Sequence, residues 1–461
     1  MPMQENDLKE ILDDFRYLIE AKQDIKLLNI LMSMHASDIA DLAEILHSDQ
    51  QRLYLFNLME AEMASEAIME LDEVYREHLI EKMEPRRLSQ LVDEMDSDDA
   101  ADFVSEIPEE EKEKVLEHVE DEDVEEVRLL LEHENDTAGG IMALEIISVH
   151  DESTVDESID EIRRKAEEVD DIYNIYVVDR ENRLTGIVTM KDLILAAGTR
   201  KVSDIVTSNI VSVPVSMDQE DVAILARKYD LVSVPVVDED GHLLGRITID
   251  DIVDVMEEEA TEDIHKMAGL TDEEEIRETA VFRIVRARIP WLCFGLFGGL
   301  IGAFIMNAFH GSIQRQLELS FFIPVIMAMA GNIGIQSSTL VVRGLATGEI
   351  GTQDLMVRCM KELRIALLNG LILSVLLYFF VTLYYLYSKG SADTTMLALV
   401  ISTSLLSVIM VAGALGSTIP LILKRFDFDP ALSTGPFITS SNDIIGIFIY
   451  LSIADFILNH G

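Results

Sequence analysis

Cysteine and tryptophan are nearly missing from this chain, with two of the first and one of the second in 461 residues. Cys293 and Cys359 both lie in or beside apolar stretches, so no disulfide framework can be drawn, which fits a reducing compartment. Basic residues are also scarce: 36 Lys and Arg stand against 85 Asp and Glu, a net charge of −49. The shortage is uneven. Residues 1–280 hold 76 acids and 25 bases, whereas residues 281–461 hold 9 and 11. So acidic a first part repels nucleic acid and anionic lipid and attracts cations, and no nucleic-acid partner is expected. The opening MPMQENDLKE has neither the basic start nor the apolar core of a signal peptide. There is no Gly-Lys-Ser/Thr phosphate loop, no nucleophile–base pair and no catalytic metal spacing, so an enzyme is not expected.

What is present begins with five long, nearly uncharged runs: Ile289–Gln314, Leu319–Val342, Ile365–Ser388, Thr394–Leu423 and Pro430–Ala454. Each exceeds the roughly 20 residues needed to cross a bilayer. Five in succession argue for a helical membrane domain rather than buried soluble helices. Arg283, Arg286, Arg288, Arg343, Arg358, Lys361, Arg364, Lys424 and Arg425 flank one side, and only Arg315 and Lys389 the other. The basic side is the expected cytoplasmic one, which places the N-terminus inside and the C-terminus outside.

One charge survives inside the fifth run, Asp443 in TSSNDIIG. An ionised carboxylate at that depth is costly, so it reads as facing a pathway or a partner; the alternative is a protonated carboxyl bonded between helices. In the second run, AGNIGIQSS offers Gly331 and Gly334 for close backbone approach and Asn332 and Gln336 as amide oxygens, although small-residue helix packing accounts for the glycines equally well. DPALSTGPF opens the fifth run, and its prolines distort the first turns and leave Asp429 at the cytoplasmic mouth. Oxygen donors alone suit a hard cation. One Asp per chain is little charge for a divalent ion, and two chains around an axis would supply two.

Residues 140–258 contain a repeat. VVDRENRLTGIVTMKDL from Val177 matches VVDEDGHLLGRITIDDI from Val236, an offset of 59 that pairs Gly186 with Gly245 and Thr189 with Thr248. Each copy reads strand, turn, strand, helix. Residues 5–135 show apolar spacing of three and four, in IADLAEIL, LSQLVDEM and AADFVSEI, which predicts a solenoid of short helices. Its Asp96, Asp98 and Asp99 read as a cap and a solvated turn. After the repeat, Asp251, Asp254, Glu258 and Glu262 share one helix face, with Glu259 and Asp263 beside it. Such like-charge stacking destabilises a helix unless solvent or divalent cations offset it.

The repeat resembles a tandem pair of CBS modules. In such modules Thr-x-x-Asp at the last strand–helix turn holds a nucleotide ribose, and Thr189/Asp192 and Thr248/Asp251 match that pattern; a simple helix N-cap explains them as well. Over its whole length the chain resembles the MgtE family of magnesium channels and transporters. PVIMAMAGNIGIQSSTLVVRGLATGEI from Pro324 and DPALSTGPFITSSNDIIGIFIY from Asp429 carry this resemblance most specifically. It implies an acidic helical N-domain over 1–137, CBS domains over 138–258, a connecting plug helix over 259–282 and a five-helix pore domain over 283–461. It implies a homodimer in the plasma membrane with one pore on its axis, taking Mg²⁺ as substrate and regulator. Asp443 and Asp429 match pore residues, with Asn332 beside them. Regulatory metal ligands match Glu220, Asp230, Asp251, Asp254, Glu259, Glu262 and Asp263, a backbone oxygen near Gly140, and Asp96 and Asp99. ATP at the CBS pair is a further implication. Transport of Co²⁺ or Mn²⁺, or of a proton-coupled solute, stays open at this point; an anion channel would want basic or amide ligands where Asp443 stands, and a membrane-tethered sensor leaves Asp443 and the Gly331–Gly334 segment unexplained.

Overall fold

The computed structural model describes residues 15–46, 48–166, 169, 172–270, 281–348, 355–388, 394–426 and 428–460, and Lys389 lies outside them. It divides into two compact units, residues 1–256 and 257–461.

The first unit opens with short helices α1 (Asp24–Leu31), α2 (Ala36–Ile45), α3 (Asp49–Leu58), α4 (Ala61–Met69), α5 (Glu73–Ile80), α6 (Pro85–Val92), α7 (Ser97–Glu106), α8 (Glu109–Leu116) and α9 (Asp121–Leu130). Helices two apart stack, α2 on α4, α4 on α6 and α6 on α8, which is solenoid packing. Their apolar faces join one continuous core from Phe15 to Val127. Helices of 8–10 residues leave many unpaired end carbonyls for their length. Buried Arg52 and half-buried Arg87 satisfy several of these. Arg52 donates to the Ala43 and Leu46 oxygens at 2.9 and 2.8 Å, and Arg87 to those of Phe56 and Met59 at 2.9 and 2.8 Å.

Two three-stranded sheets follow. In the first, β1 (Ser148–His150) runs parallel to β2 (Asn174–Val178), which pairs antiparallel with β3 (Leu184–Thr189). In the second, β4 (Val213–Pro214), β5 (Ser233–Val237) and β6 (Leu243–Thr248) repeat the pattern. The repeat offset holds at the level of register: Asn174 pairs with Thr189 and Ser233 with Thr248, and both sheets bulge at the equivalent Val177/Val178 and Val236/Val237. The hairpin tips meet, with Leu184 N–H donating to Gly241 O and Leu243 N–H to Asn182 O. Helices α10 (Val155–Lys165), α11 (Met190–Leu195) and α12 (Gln219–Tyr229) complete the modules. Ala101 and Leu130 of the solenoid enter the core of the second module, so that module and the solenoid's end share a core.

The last helix of the second module does not stop at residue 258. It runs as one element, α13, over Ile249–Ala268, and Gly269 with φ of +77° terminates it. The expected boundary between 258 and 259 therefore falls inside a helix. Residues 271–280 of the expected plug segment lie outside the described residues.

The second unit holds α14 (Val281–Ala308), α15 (His310–Arg315), α16 (Glu318–Ala346), α17 (Leu355–Ser388), α18 (Thr394–Arg425) and α19 (Gly435–His460). Five of its helices are long and apolar enough to cross a membrane, over Arg288–Ala308, Glu318–Ala346, Val357–Tyr387, Thr395–Arg425 and Pro430–Leu458. The fourth span, α18, is central and packs against α16, α17 and α19. These spans extend beyond the uncharged runs, the second to Glu318 and Ala346 and the fourth to Arg425. The third reaches back through Glu362, and the fifth continues past Ala454 to include Asp455, so Asp443 is not the sole acid of its helix.

Candidate cation path and acidic sensor

Asp443 lies near the middle of the fifth span and is half-buried within its own chain. Small residues set its surroundings. A Cβ at Gly334 of α16 would overlap the Asn442 amide and lie 3.3 Å from Ile438 Cγ1. A Cβ at Gly416 of α18 would fall 2.5 Å from the Gly334 oxygen, and one at Gly446 3.3 Å from Ala330 Cβ. Helices α16 and α18 thus cross at backbone contact, and Gly334 and Gly446 let side chains of the facing helices pack close around Asp443. The glycines serve packing: the helix runs unbroken through Gly331 and Gly334, and that packing sets Asn442 beside Asp443. Asn442 is 1 % exposed, and neither of its amide atoms has a partner.

Asn332 and Gln336 lie one turn apart on α16 and, with Ile335 between them, form a face that is exposed among the described residues. The neighbouring Gly331 meets Thr439 of α19, one turn before Asp443. Ser337 and Ser338 point inward instead: Ser337 donates to Glu362 at 3.2 Å, and Ser338 lies 3.4 Å from the Ser433 hydroxyl.

A 3-10 turn over Pro430–Ser433 opens the fifth span. Asp429 caps it, with Oδ1 accepting from the Ala431 N–H at 2.7 Å. The other oxygen, Oδ2, faces Lys266 Nζ at 2.7 Å, and Lys266 also pairs with Glu262 one turn back on α13. Burial acts to lower the Lys266 pKa, but the two carboxylates outweigh it and hold the ammonium firmly charged. Gly435 at φ +50° and Gly269 at φ +77° let the end of α13 lie flush on the start of α19; a Cβ at Gly269 would sit 2.7 Å from Pro436 Cγ.

In the first unit a second acidic group is assembled. Asp98 is 8 % exposed rather than solvated as the polar turn implied. It stands with Asp99 near Asp251, the first-turn acid of α13, because Ser97 ties the start of α7 to the second module. Ser97 donates to Glu145 at 2.9 Å (N–H) and 3.0 Å (hydroxyl), and accepts from Leu144 N–H at 2.8 Å. Burial, then repulsion from Asp251, pushes Asp99 up to about 7, and burial lifts Asp98 well above the usual range. Asp251 is raised by burial against the hydrogen bonds that Thr248 gives it. Asp96 caps α7 in position and repels Asp99. Carboxylates gathered this way gain from a hard cation, which replaces protons with one divalent charge.

The remaining expected residues are placed as follows. Glu220 begins α12, and Asp230 ends it in the left-handed region at φ +53°. Asp254, Glu259, Glu262 and Asp263 follow Asp251 along α13. Gly140 sits in a tight turn where a Cβ would meet the Asn135 oxygen at 2.4 Å, which only glycine allows. Thr189 accepts from Asp192 N–H at 3.2 Å and donates to its carboxylate at 2.6 Å, an N-cap; Thr248 instead donates twice to the Asp251 carboxylate, from its backbone N–H at 3.0 Å and from its hydroxyl at 2.5 Å. Sequence reading missed Lys266, Glu362 and Asp455, the last held by the Ser312 hydroxyl.

Family models match three parts of the chain: the MgtE intracellular N domain over 7–136, CBS domains over 138–198 and 202–258, and a divalent cation transporter over 323–453. The chain is 37 % identical over 335 residues to the magnesium transporter MgtE of Thermus thermophilus, covering 72 % of each chain. It is 32 % identical over 406 residues to that of Bacillus subtilis, covering 88 % of each. Among solved structures, the soluble part of a magnesium transporter matches at 30 % identity and a TM-score of 0.51, over 55 % of this chain and 99 % of that one. With an acid at mid-span, five membrane-length helices and the repeat module in place, these matches establish that the chain belongs to the MgtE family of magnesium transporters, multi-pass membrane proteins rather than enzymes.

Proposed function

We propose that the chain is one subunit of a homodimeric Mg²⁺ channel of the plasma membrane, N-terminus cytoplasmic and C-terminus external, closed by cytosolic Mg²⁺. The observation that carries this reading is the bare polar face of α16. Asn332 and Gln336 are exposed on a membrane helix whose neighbour α19 bears Asp443. Carboxamides facing lipid are costly, so that face belongs on a water-filled path or a second copy. Two copies around one path would give a divalent ion two Asp443 carboxylates, with the Asn332 amides as further oxygens. Mg²⁺ keeps much of its water, so a wide site with few direct ligands suits it better than a close cage. The membrane potential drives entry: about 2.3 kcal/mol per charge per 100 mV gives about 4.6 for a divalent ion.

Closure follows from electrostatics. At low cytosolic Mg²⁺ the acids of the N-domain, CBS pair and connecting helix repel. Mg²⁺ bound at Asp96, Asp99 and Asp251, at Glu220, Asp230 and Asp254, and along Glu259, Glu262 and Asp263 removes the repulsion, with a backbone oxygen near Gly140 as a further ligand. Clusters of this kind bind weakly, as sensing an abundant ion requires. ATP at Thr189, Asp192 and Thr248 would have to share the two caps, and calorimetric titration against Thr189→Ala tests it.

The test of the pore is Mg²⁺ flux into proteoliposomes at a set potential. Asp443→Ala should remove uptake while the protein stays folded; normal uptake by that variant would sink the assignment.

A further inference from the structure

Lys266 brings a positive charge against the Asp429 carboxylate that caps the turn before the fifth span. We infer that it is a positioning residue for closure: its ammonium is a resident cation that seats the end of α13 on the start of α19 without metal, and divalent cation displaces it from Glu262 and Asp429. This rests on the reading that the end of α13 closes the path.

The geometry leaves the carboxylate little choice. Asp429 Oδ1 is committed to capping the turn, so Oδ2 is the oxygen left for a cation, and Lys266 Nζ lies 2.7 Å from it. Glu262 reaches the same ammonium from one turn earlier. An ammonium and a metal ion cannot share that position. The three side chains together carry a net charge of −1; without the lysine they carry −2. The backbone around the pair is built for contact. Gly435 accepts the Met267 carbonyl where a Cβ would overlap it, and Gly269 accepts Pro436. At both positions φ is positive, where glycine is favoured.

The inference makes an unusual paired prediction. Removing the charge frees the end of α13 when metal is absent, yet improves the carboxylates as a metal site. The full-length protein in proteoliposomes is measured for Mg²⁺ flux at fixed potential while free Mg²⁺ on the cytoplasmic side is stepped from chelated to high. Lys266→Gln should raise flux in chelator about threefold and lower the half-closing Mg²⁺ concentration by a similar factor, in keeping with a part-exposed ion pair. Lys266→Arg should track the wild type in both. If Lys266→Gln matches the wild type in both readouts, or Lys266→Arg behaves as Lys266→Gln does, the resident-cation role is wrong. A wild type that conducts but never closes with Mg²⁺ would instead bring down the closure reading beneath it. A second measurement needs no substitution. Amine acetylation of the wild-type protein, read by mass spectrometry, should label Lys266 slowly in chelator and faster in saturating Mg²⁺; equal or slower labelling in Mg²⁺ overturns the displacement.

Discussion

Gly416→Ala should damage conduction through a backbone collision rather than through chemistry. The added Cβ would lie 2.5 Å from the Gly334 oxygen, 3.1 Å from its Cα and 3.2 Å from its carbonyl carbon. Ordinary contact begins near 3.4 Å, so α16 and α18 must separate by close to 0.9 Å along that direction. The struck atoms are backbone and cannot rotate away. Gly334 in turn abuts Asn442, the residue before Asp443, so the displacement reaches the acid. Overpacking of this kind costs about 1–3 kcal/mol, and for a unit of this size roughly 2–10 °C of melting temperature. A site tolerates only about 0.5 Å of misplacement, so Mg²⁺ flux should fall at least about tenfold even where the protein still folds. Gly299→Ala is the matched control, since a Cβ there meets nothing within 4 Å. It should be neutral or stabilise its helix by up to about 1 kcal/mol. The assay pairs proteoliposome flux with a thermal melt in detergent. Gly416→Ala that melts and conducts like Gly299→Ala would refute the argument that backbone contact fixes the Asp443 site.

Other outcomes are expected. Asp99 carries a pKa raised from 3.8 to about 7, so it binds its proton more readily folded than unfolded. Its contribution is complete below the unfolded value and lost as pH rises through about 7, so melting temperature in chelator should fall between about pH 5 and about pH 8. Saturating Mg²⁺ should flatten that slope; a flat profile in chelator would contradict it. Asp98→Asn should stabilise the metal-free protein and weaken its thermal response to Mg²⁺, both read in the same melts. Neutralising Glu259, Glu262 and Asp263 together should reduce Mg²⁺ protection against protease, and unchanged protection would remove them from sensing. Arg87→Ala should cost about 1–3 kcal/mol in denaturant unfolding of the full chain, because the Phe56 and Met59 carbonyls lose their donor.

The elements that sequence reading found share one property: their signal is local. Hydropathy over a span's length located all five membrane helices, and the 59-residue offset located both modules down to their paired glycines. What it missed depends on residues far apart. Lys266 and Asp429 are separated by more than 160 positions, and nothing near either shows that they meet. Asp98 sits in a run of acids that reads as solvated; it is buried because Ser97 grips Glu145 of the next domain. Glu362 and Asp455 fell outside the spans for a plainer reason. Those limits were drawn at the first charged residue, whereas helices continue wherever backbone bonding does.

The seam between the two sheet modules has a mechanical consequence. Each hairpin gives one backbone hydrogen bond and receives one, Leu184 to Gly241 and Leu243 to Asn182, about a local pseudo-two-fold. Tyr176 and Ser233 add a buried bond at 2.6 Å between the same strands' modules. Scissoring one module against the other would break both backbone bonds at once and strand polar groups. The pair therefore offers no internal hinge, and work done by an ion bound to either module is not dissipated as slippage between them.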